Sequence, residues 1–375
     1  MEINYNIISL IDILGLVQGV FLGLILVVES KRIKPKLFLG LFLLAYSAEL
    51  LNSILGDLNI LEFKPSLLYL PLDFRYLTIP LFYLYIKRIF NSPLTKKKNL
   101  LILLPGIIEF LFFAILFVLN LDTKLRIHNS EKFSDGIFLF AILSYPYSIY
   151  YAILTIKFIN KQKKNVEDYY SNTEGKLLTW AKGVMVFLLF FILIIISTIF
   201  VEGKFYTDYM YPVISSVNVI FIFWIGISGL RQPKLFVSKN SITKKENIES
   251  SFNENSKNKS IINKTYYKKL IELMVGEKMF LEPNLSLADV SIKLKIPQRN
   301  LSELIREESD KNFNQFVNYY RVEEAKKLLL DASNNHLNML GIAFDSGFSS
   351  KATFYSVFKK HTSQTPTLFK NSYLA

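Results

Sequence analysis

Long apolar runs fill the first 232 residues of the chain, and the remaining residues place apolar side chains at helical spacing. A helix needs about 20 apolar residues to cross the hydrocarbon core of a bilayer. The run VMVFLLFFILIIISTIFV contains no charged residue and is typical of such a crossing. The pattern predicts an all-α fold with a seven-helix transmembrane bundle in residues 1–232, with spans near Ile7–Val28, Leu37–Gly56, Leu67–Ile86, Leu100–Leu119, Gly136–Phe158, Leu177–Val201 and Met210–Leu230.

Two of the seven segments depart from a simple apolar span. The third is interrupted by Pro71, Asp73, Arg75 and Pro80. The first begins with MEINYN, which lacks the positive charge that starts a signal peptide. We therefore expect the first segment to be a membrane span rather than a cleaved leader.

Basic residues in the connections predict the orientation of the bundle, because lysine and arginine concentrate on the cytoplasmic side. The first, third and fifth connections and the stretch after the last span hold 19 lysines and arginines, against 5 on the opposite side. This asymmetry predicts a multi-pass protein of the cytoplasmic (inner) membrane with its N-terminus outside. Seven spans then place the C-terminal residues in the cytoplasm.

We single out four ionisable residues expected at depth within the predicted spans, where an unpaired charge is energetically expensive. They are Glu49, Asp73, Arg75 and Glu109. From the outer ends of their spans, Glu49 lies roughly 10 Å deep and Arg75 roughly 12 Å deep, so the two can pair. One interpretation is an outward-facing polar pocket that receives a stimulus such as an unknown ligand. The tyrosine cluster SYPYSIYYA, Ser144–Ala152, has two interpretations of its own: it lines a pocket, or it serves as packing or as part of an interfacial aromatic belt. The alternative is an ion pair that only holds two helices together.

Residues 233–262 separate the bundle from the C-terminal part. The segment from Val237 to Ile262 is rich in Asn, Ser, Lys and Glu and has few large apolar residues. Such a composition buries too little surface to offset chain entropy, which predicts a flexible tether. A polar helix that caps the bundle is the alternative.

Residues 263–375 form a separate helical domain in this interpretation. A helix is predicted near Thr265–Met279, and Ser286–Asp289 has the pattern of a capping box. A short turn then leads into the helix Pro297–Ser309, which buries Leu301, Leu304 and Ile305. Two short helices around a tight turn are typical of a helix-turn-helix unit.

The same pattern recurs about 52 residues later. Ser291, Leu294 and Ile296 correspond to Ala343, Ser346 and Phe348, and Gly347 takes the turn position of Lys295. A single helix over 313–332 joins the two copies. Two recognition helices on such a frame can enter successive major grooves, roughly 34 Å apart, on one face of a duplex.

These residues resemble the DNA-binding domain of the AraC/XylS family of bacterial transcription regulators. The likeness is carried by FVNYYRVEEAKKLLLD and IAFDSGFSSKATFYSVFKKHTSQTP and covers about Leu270–Lys370. The first half is similar, less specifically, to membrane-anchored members of the family through PLFYLYIKRI and GLRQPKLF. The resemblance implies binding of promoter double-stranded DNA, with RNA polymerase as a further partner. A homodimer is also expected, because pairing on two sites raises a modest affinity.

The resemblance assigns base-reading positions to Arg299, Ser302 and Glu303 in the first copy and to Lys351, Thr353, Tyr355 and Ser356 in the second. Arginine can reach guanine through two hydrogen bonds, and glutamate can accept one from cytosine. Gln298 and Asn300 share the polar face of the first recognition helix. Arg306, Lys359 and Lys360 suit phosphate. The family usually has glycine just after each recognition helix, where this chain has Asp310 and Ser363.

The amino-acid composition excludes several classes of function for this chain. The chain has 375 residues, a formal charge of +13, no cysteine and three histidines, so a thiolate metal site and a cysteine nucleophile are excluded. No Walker loop, GxGxxG, catalytic triad order or kinase signature is present, and we expect neither an enzyme nor a bound cofactor. The first hypothesis is a membrane-bound transcription regulator that couples a signal at the membrane to promoter binding. The alternative is a transporter-like or receptor-like membrane protein whose helical tail binds a protein partner.

Overall fold

A computed structural model of the chain describes residues 7–198, 205, 209–232, 256–334 and 336–374. Within these ranges the regular elements are helices, apart from one isolated antiparallel bridge between Tyr170 and Ser286. The chain divides into two compact units. The first comprises Met1–Asn160 and Leu178–Phe236, and the second comprises Lys161–Leu177 and Val237–Ala375. The all-α class predicted from the sequence is confirmed for the described residues.

Six helices that begin in the first unit are long and apolar enough to cross a membrane, among the described residues. Their outward surfaces carry large exposed apolar side chains such as Val17, Ile115 and Ile220, which suit a lipid environment better than water. The helices described from residue 7 to residue 231 are α1 (Ile7–Glu29), α2 (Lys36–Asp57), α3 (Ile60–Phe63), α4 (Thr78–Ile89), α5 (Lys96–Phe117), α6 (Leu121–His128), α7 (Glu131–Tyr169), α8 (Thr179–Thr198) and α9 (Tyr211–Arg231).

The third predicted span, Leu67–Ile86, is not a continuous helix. A 3₁₀ turn at Pro65–Leu67 is followed by irregular backbone up to α4, which has only 12 residues. Pro71 disfavours helical backbone at the residue before it. Pro80 lies in the first turn of α4, where its missing N–H costs nothing. The residues from Thr78 to Ile86 contain no charged side chain and are buried around the whole circumference of α4, whereas Lys87 and Arg88 in its last turn are half-buried.

The first unit is held together by close approach of α1, α2 and α9. A methyl group added at Gly40 of α2 would lie 2.8 Å from the carbonyl oxygen of Gly23 in α1, closer than van der Waals contact allows. Small residues at such positions let helix backbones approach each other, which is the usual basis of helix association in lipid.

The second unit contains two helix-turn-helix units in sequence. Its helices are α10 (Ser256–Val275), α11 (Leu287–Leu294), α12 (Gln298–Ser309), α13 (Phe313–Leu330), α14 (Met339–Asp345), α15 (Lys351–Thr362) and α16 (Pro366–Leu374). The predicted capping box is present: Ser286 accepts from the Asp289 backbone N–H, and the Asp289 carboxylate accepts from the Ser286 N–H.

Helix α13 belongs to both cores of the second unit. Its first half contributes Phe313, Phe316 and Val317 to the core under α11 and α12. Its second half contributes Val322, Ala325 and Leu329 to the core under α14 and α15. The joining helix expected from the sequence is therefore a rigid frame for both copies.

The two tight turns each need one residue with left-handed backbone, and a different residue type provides it in each turn. Lys295 ends α11 with φ 57°, and Gly347 follows α14 with φ 87°, so both occupy the left-handed region. A Cβ at Gly347 would lie 2.6 Å from the Phe280 carbonyl oxygen. The second turn therefore needs glycine, whereas the first tolerates an exposed lysine at the cost of an unfavourable backbone conformation.

The predicted tether, 233–262, overlaps the described residues only at its end. Residues 233–255 lie outside them, and α10 begins at Ser256, so Ser256–Ile262 are helical rather than flexible. Helix extension adds one hydrogen bond per residue once a helix is anchored, and α10 is anchored by the buried Leu270 and Met274. The helix ends before Gly276, earlier than the predicted Met279.

Arg321 of α13 is a buried charged residue that the sequence patterns did not single out; it is 1 % exposed. Its Nε donates to the Phe280 carbonyl oxygen at 2.8 Å, and its Nη2 donates to that of Glu282 at 2.7 Å. Burial lowers the pKa of Arg321 to about 10, so the guanidinium remains charged at neutral pH. The residue ties the 280–283 loop to α13.

We expect opposite stability effects from Lys295→Gly and Gly347→Ala. The first relieves a left-handed lysine and should stabilise its turn by about 0.5–1 kcal/mol, after allowing for the greater freedom of glycine in the unfolded chain. The second forces a Cβ against a carbonyl and should destabilise by about 2 kcal/mol or more. Amide hydrogen exchange of α11 and α14 in the full chain measures both effects, and unchanged protection in Gly347→Ala would contradict the turn geometry.

Candidate nucleic-acid interface

The first recognition helix is α12. It buries Leu301, Leu304 and Ile305 and directs the opposite face away from the core. On that face Arg299, Glu303 and Arg306 are exposed, and Gln298, Asn300 and Ser302 are half-buried. Arg299 Nε lies 3.0 Å from Glu303 Oε1, one helical turn away, so these two predicted base readers neutralise each other in this state. All six side chains predicted here lie on one accessible face.

The second recognition helix is α15, which is capped by Ser350 and packs through Phe354 and Phe358. Lys351, Ser356, Lys359 and Lys360 are exposed, and Thr353 is half-buried. The Tyr355 hydroxyl lies 3.0 Å from Thr367 Oγ1, which fixes that side chain against α16.

The C-terminal end of α15 is the more basic end of the helix. Its last turn holds Lys359, Lys360 and His361. Partial burial and then the charges of Lys360, Lys326 and Lys311 lower the pKa of His361, with Glu323 acting in the opposite direction. The lowered pKa favours the neutral imidazole, and Lys359 and Lys360 carry the positive charge of this turn.

Both recognition helices end in a residue with left-handed backbone. Asp310 has φ 55° and Ser363 has φ 64°. These are the two positions where glycine was expected from the family pattern. Since the conformation is retained without glycine, both C-caps carry some backbone strain, which Ser tolerates less well than Asp.

Two acidic residues that the sequence analysis missed contact the predicted DNA-binding positions. Asp168 accepts two hydrogen bonds from Arg306 Nη2, at 2.8 and 3.0 Å. Glu174 Oε2 accepts from the Thr353 hydroxyl at 3.3 Å. Both belong to 161–177, which packs within the second unit although residues 178–236 separate it in the chain from the rest of that unit.

The first unit contains a separate polar cavity of about 390 Å³. Glu49, Asp73 and Arg75 line it, as do Ser144, Tyr145 and Ser148 from the predicted tyrosine cluster. Arg75 Nη2 lies 3.2 Å from Asp73 Oδ1, so its ion-pair partner is Asp73 rather than the expected Glu49. Glu109 is not among the lining residues; its Oε2 accepts from the Tyr76 backbone N–H at 3.2 Å.

Further polar groups line the cavity that the sequence analysis did not name. Asp12 of α1 is buried and hydrogen-bonds to Ser215 of α9 and to the Tyr211 hydroxyl. Tyr211 also donates to Asp57 Oδ2 at 2.7 Å. Asp12 is an ionisable residue within a predicted span, and the criterion that selected Glu49 would also have selected it.

Comparison with known proteins supports the helix-turn-helix units described for the second unit. The family model described as "Helix-turn-helix domain" matches residues 290–372. Proteins named as uncharacterized HTH-type transcriptional regulators from Staphylococcus aureus strains COL, MSSA476 and N315 are each 30% identical over 113 residues. That match covers 30% of this chain and 14% of each relative.

A solved structure of a protein of unknown function from Listeria innocua is 30% identical, with a TM-score of 0.25. The match covers 28% of this chain and 94% of the chain in that structure. The family match includes α12 and α15 with the turns before them. Residues 290–372 therefore match the model of a helix-turn-helix domain.

Proposed function

We propose that this protein is a membrane-bound transcription regulator that binds promoter DNA through α12 and α15. The observation that carries the proposal is the double helix-turn-helix unit, in which α13 is shared by both cores. A frame of this kind holds two polar helices at a fixed separation, as binding to successive major grooves requires.

The positions of the side chains on the two helices support separate roles in contacting bases and in contacting phosphates. Arg299, Glu303 and Lys351 are exposed and able to reach base edges, with Ser302, Thr353 and Ser356 beside them. Arg306, Lys359 and Lys360 lie nearer the C-terminal ends and suit phosphate oxygens. Residues 263–375 carry 16 basic and 12 acidic residues. Because this excess is modest, we expect two copies of the chain to act together on a promoter, with RNA polymerase as the downstream partner.

The first unit supports a membrane location. We assign the seven crossings of the predicted orientation to the six long apolar helices of the described residues and to the α4 segment. Helix α4 spans about 18 Å of the roughly 30 Å of hydrocarbon, so the non-helical residues 68–77 before it would have to supply the rest of the crossing. Irregular backbone is tolerated at membrane depth where it lines a polar cavity, and Asp73 and Arg75 of this segment do so.

We assign signal reception to that cavity. A broken helix beside charged groups is a usual setting for small-molecule recognition in membrane proteins. Glu49 Oε1 is buried there without a hydrogen-bond partner, which leaves one acceptor for an incoming ligand. The same features fit a transporter, so DNA binding by the full chain is the property that separates the two functions.

The purified chain, residues 1–375, in lipid nanodiscs should bind labelled random-sequence duplex DNA with a steep salt dependence between about 50 and 200 mM. Lys359→Gln with Lys360→Gln should weaken binding to every sequence and lower the salt slope by about 2. Arg299→Ala with Lys351→Ala should weaken binding to a sequence selected by the wild-type chain by about 30-fold or more, and by a smaller factor on the random pool.

A matched control is Lys264→Gln with Lys268→Gln, which removes two exposed charges from α10, outside both recognition helices. Equal losses in the control and the α15 variant would reject the phosphate assignment. Unchanged sequence preference in Arg299→Ala with Lys351→Ala would reject the base-reading assignment. A wild-type chain that does not bind DNA at low salt would favour the protein-partner alternative.

The orientation can be mapped with single cysteines, because the chain has none of its own. In spheroplasts, a membrane-impermeant maleimide should label Asn129→Cys, whereas Ser92→Cys and Asn371→Cys should react only after permeabilisation. Labelling of Ser92→Cys in intact spheroplasts would show that the α4 segment does not cross. Labelling of Asn371→Cys there would reject a cytoplasmic DNA-binding domain.

A further inference from the structure

The segment 161–177 is bound tightly within the second unit. Val166 and Ser171 are 0 % and 1 % exposed, and Tyr170 is 8 % exposed. Tyr169 packs against the core under α11 and α12. Such burial is characteristic of a docked segment rather than a solvated loop.

Ser171 is the centre of the docking site. Its backbone N–H donates to the Leu285 carbonyl oxygen at 3.1 Å, and its hydroxyl donates to the same oxygen at 2.6 Å. Arg321 Nη2 donates to the Ser171 hydroxyl oxygen at 3.1 Å, and Asn314 Nδ2 donates to the Ser171 carbonyl oxygen at 2.6 Å. The antiparallel bridge between Tyr170 and Ser286 completes the site.

The two ends of the docked segment contact both recognition helices. On one side of Ser171, Asp168 binds Arg306 of α12. On the other side, Glu174 accepts from Thr353 of α15. Glu167 adds a third carboxylate, with its Oε2 3.5 Å from Asn312 Nδ2 at the start of α13. The carboxylates of Asp168 and Glu174 thus occupy hydrogen-bonding groups that the proposed function gives to DNA.

We infer that the acidic segment Glu167–Glu174 is an internal competitor of DNA, and that the face of the helix-turn-helix domain around Ser171 is its docking site. This inference rests on the proposed function. A carboxylate satisfies the same arginine donors as a phosphate, so the two ligands exclude each other at Arg306. The segment also places negative charge where the duplex would bring its own, and like charges at short range oppose binding.

The segment leads out of α7 and into α8, so the competitor is part of the chain that connects two long apolar helices. Release of the segment would expose Arg306 and Thr353 together, because both are held by residues six positions apart. The DNA-binding state and the docked state are therefore alternatives of one equilibrium, and the apparent DNA affinity scales with the undocked fraction.

The first test uses Asp168→Asn with Glu174→Gln in the full chain in nanodiscs. These changes weaken the contacts with both recognition helices and leave Ser171 and its partners in place. Affinity for random-sequence duplex DNA should rise about tenfold or more. The matched control is Glu272→Gln with Glu277→Gln, two exposed carboxylates whose loss changes net charge equally; Glu277 pairs with Lys293 of α11 rather than with a recognition helix.

The second test locks the segment in place. Residues opposite each other in an antiparallel bridge have Cα atoms about 4.5–5.5 Å apart, which suits a disulfide. In Tyr170→Cys with Ser286→Cys, oxidation should reduce DNA affinity and reduction should restore it, with the same protein as its own control. In the wild-type chain, addition of DNA should accelerate hydrogen exchange at the Ser171 amide.

The outcomes separate the inference from the function on which it rests. The inference would be overturned, with DNA binding left intact, by two results together. Asp168→Asn with Glu174→Gln (the acid variant), its control and the wild type would bind DNA with equal affinity, and the disulfide would not change that affinity. A loss of affinity in the acid variant would show that the segment supports binding instead of opposing it. The proposed function and the inference would both be contradicted if no form of the chain bound DNA. These forms include the reduced double-cysteine variant and Asp168→Asn with Glu174→Gln.

Discussion

The sharing of α13 between two apolar cores is the constraint on which the second unit depends. Phe316 lies in one core and Ala325 in the other, and a rigid helix joins them. Neither helix-turn-helix unit can rotate against the other without exposing apolar surface, which costs about 25 cal/mol for each Å². The separation of α12 and α15 is therefore set by packing, and a two-groove mode of DNA binding needs no further device to align them.

Local patterns were sufficient to predict much of this unit from the sequence. Periodicity identified α12 and α13, and the spacing of Ser286 and Asp289 identified a capping box that the structure contains. The equivalence of Lys295 and Gly347 was visible because the two copies share a pattern, and both residues have left-handed backbone. These features depend on residues close together in the chain, which is why one sequence reveals them.

Contacts between residues far apart in the chain were not predictable from such local patterns. Arg321 resembles any polar residue of an amphipathic helix, and only the fold shows that loop carbonyls surround it. Asp168 and Glu174 lie in what the sequence presents as an ordinary connection between spans, yet they contact the DNA-binding domain. In the first unit, the prolines correctly indicated a disturbed third span, but not that it would become a short buried helix beside a cavity. The roles given to individual residues of α12 and α15 stay predictions, because which donor faces a base depends on the duplex.

The length of α7 determines where Asp168 lies along the chain. Its 39 residues form one helix about 58 Å long, nearly twice the roughly 30 Å of hydrocarbon that a crossing requires. The surplus turns end at Tyr169, immediately after Asp168. The same unbroken helix therefore carries an apolar stretch long enough to cross a membrane and, in its last turn, a carboxylate that binds Arg306, with no loop between them in the chain.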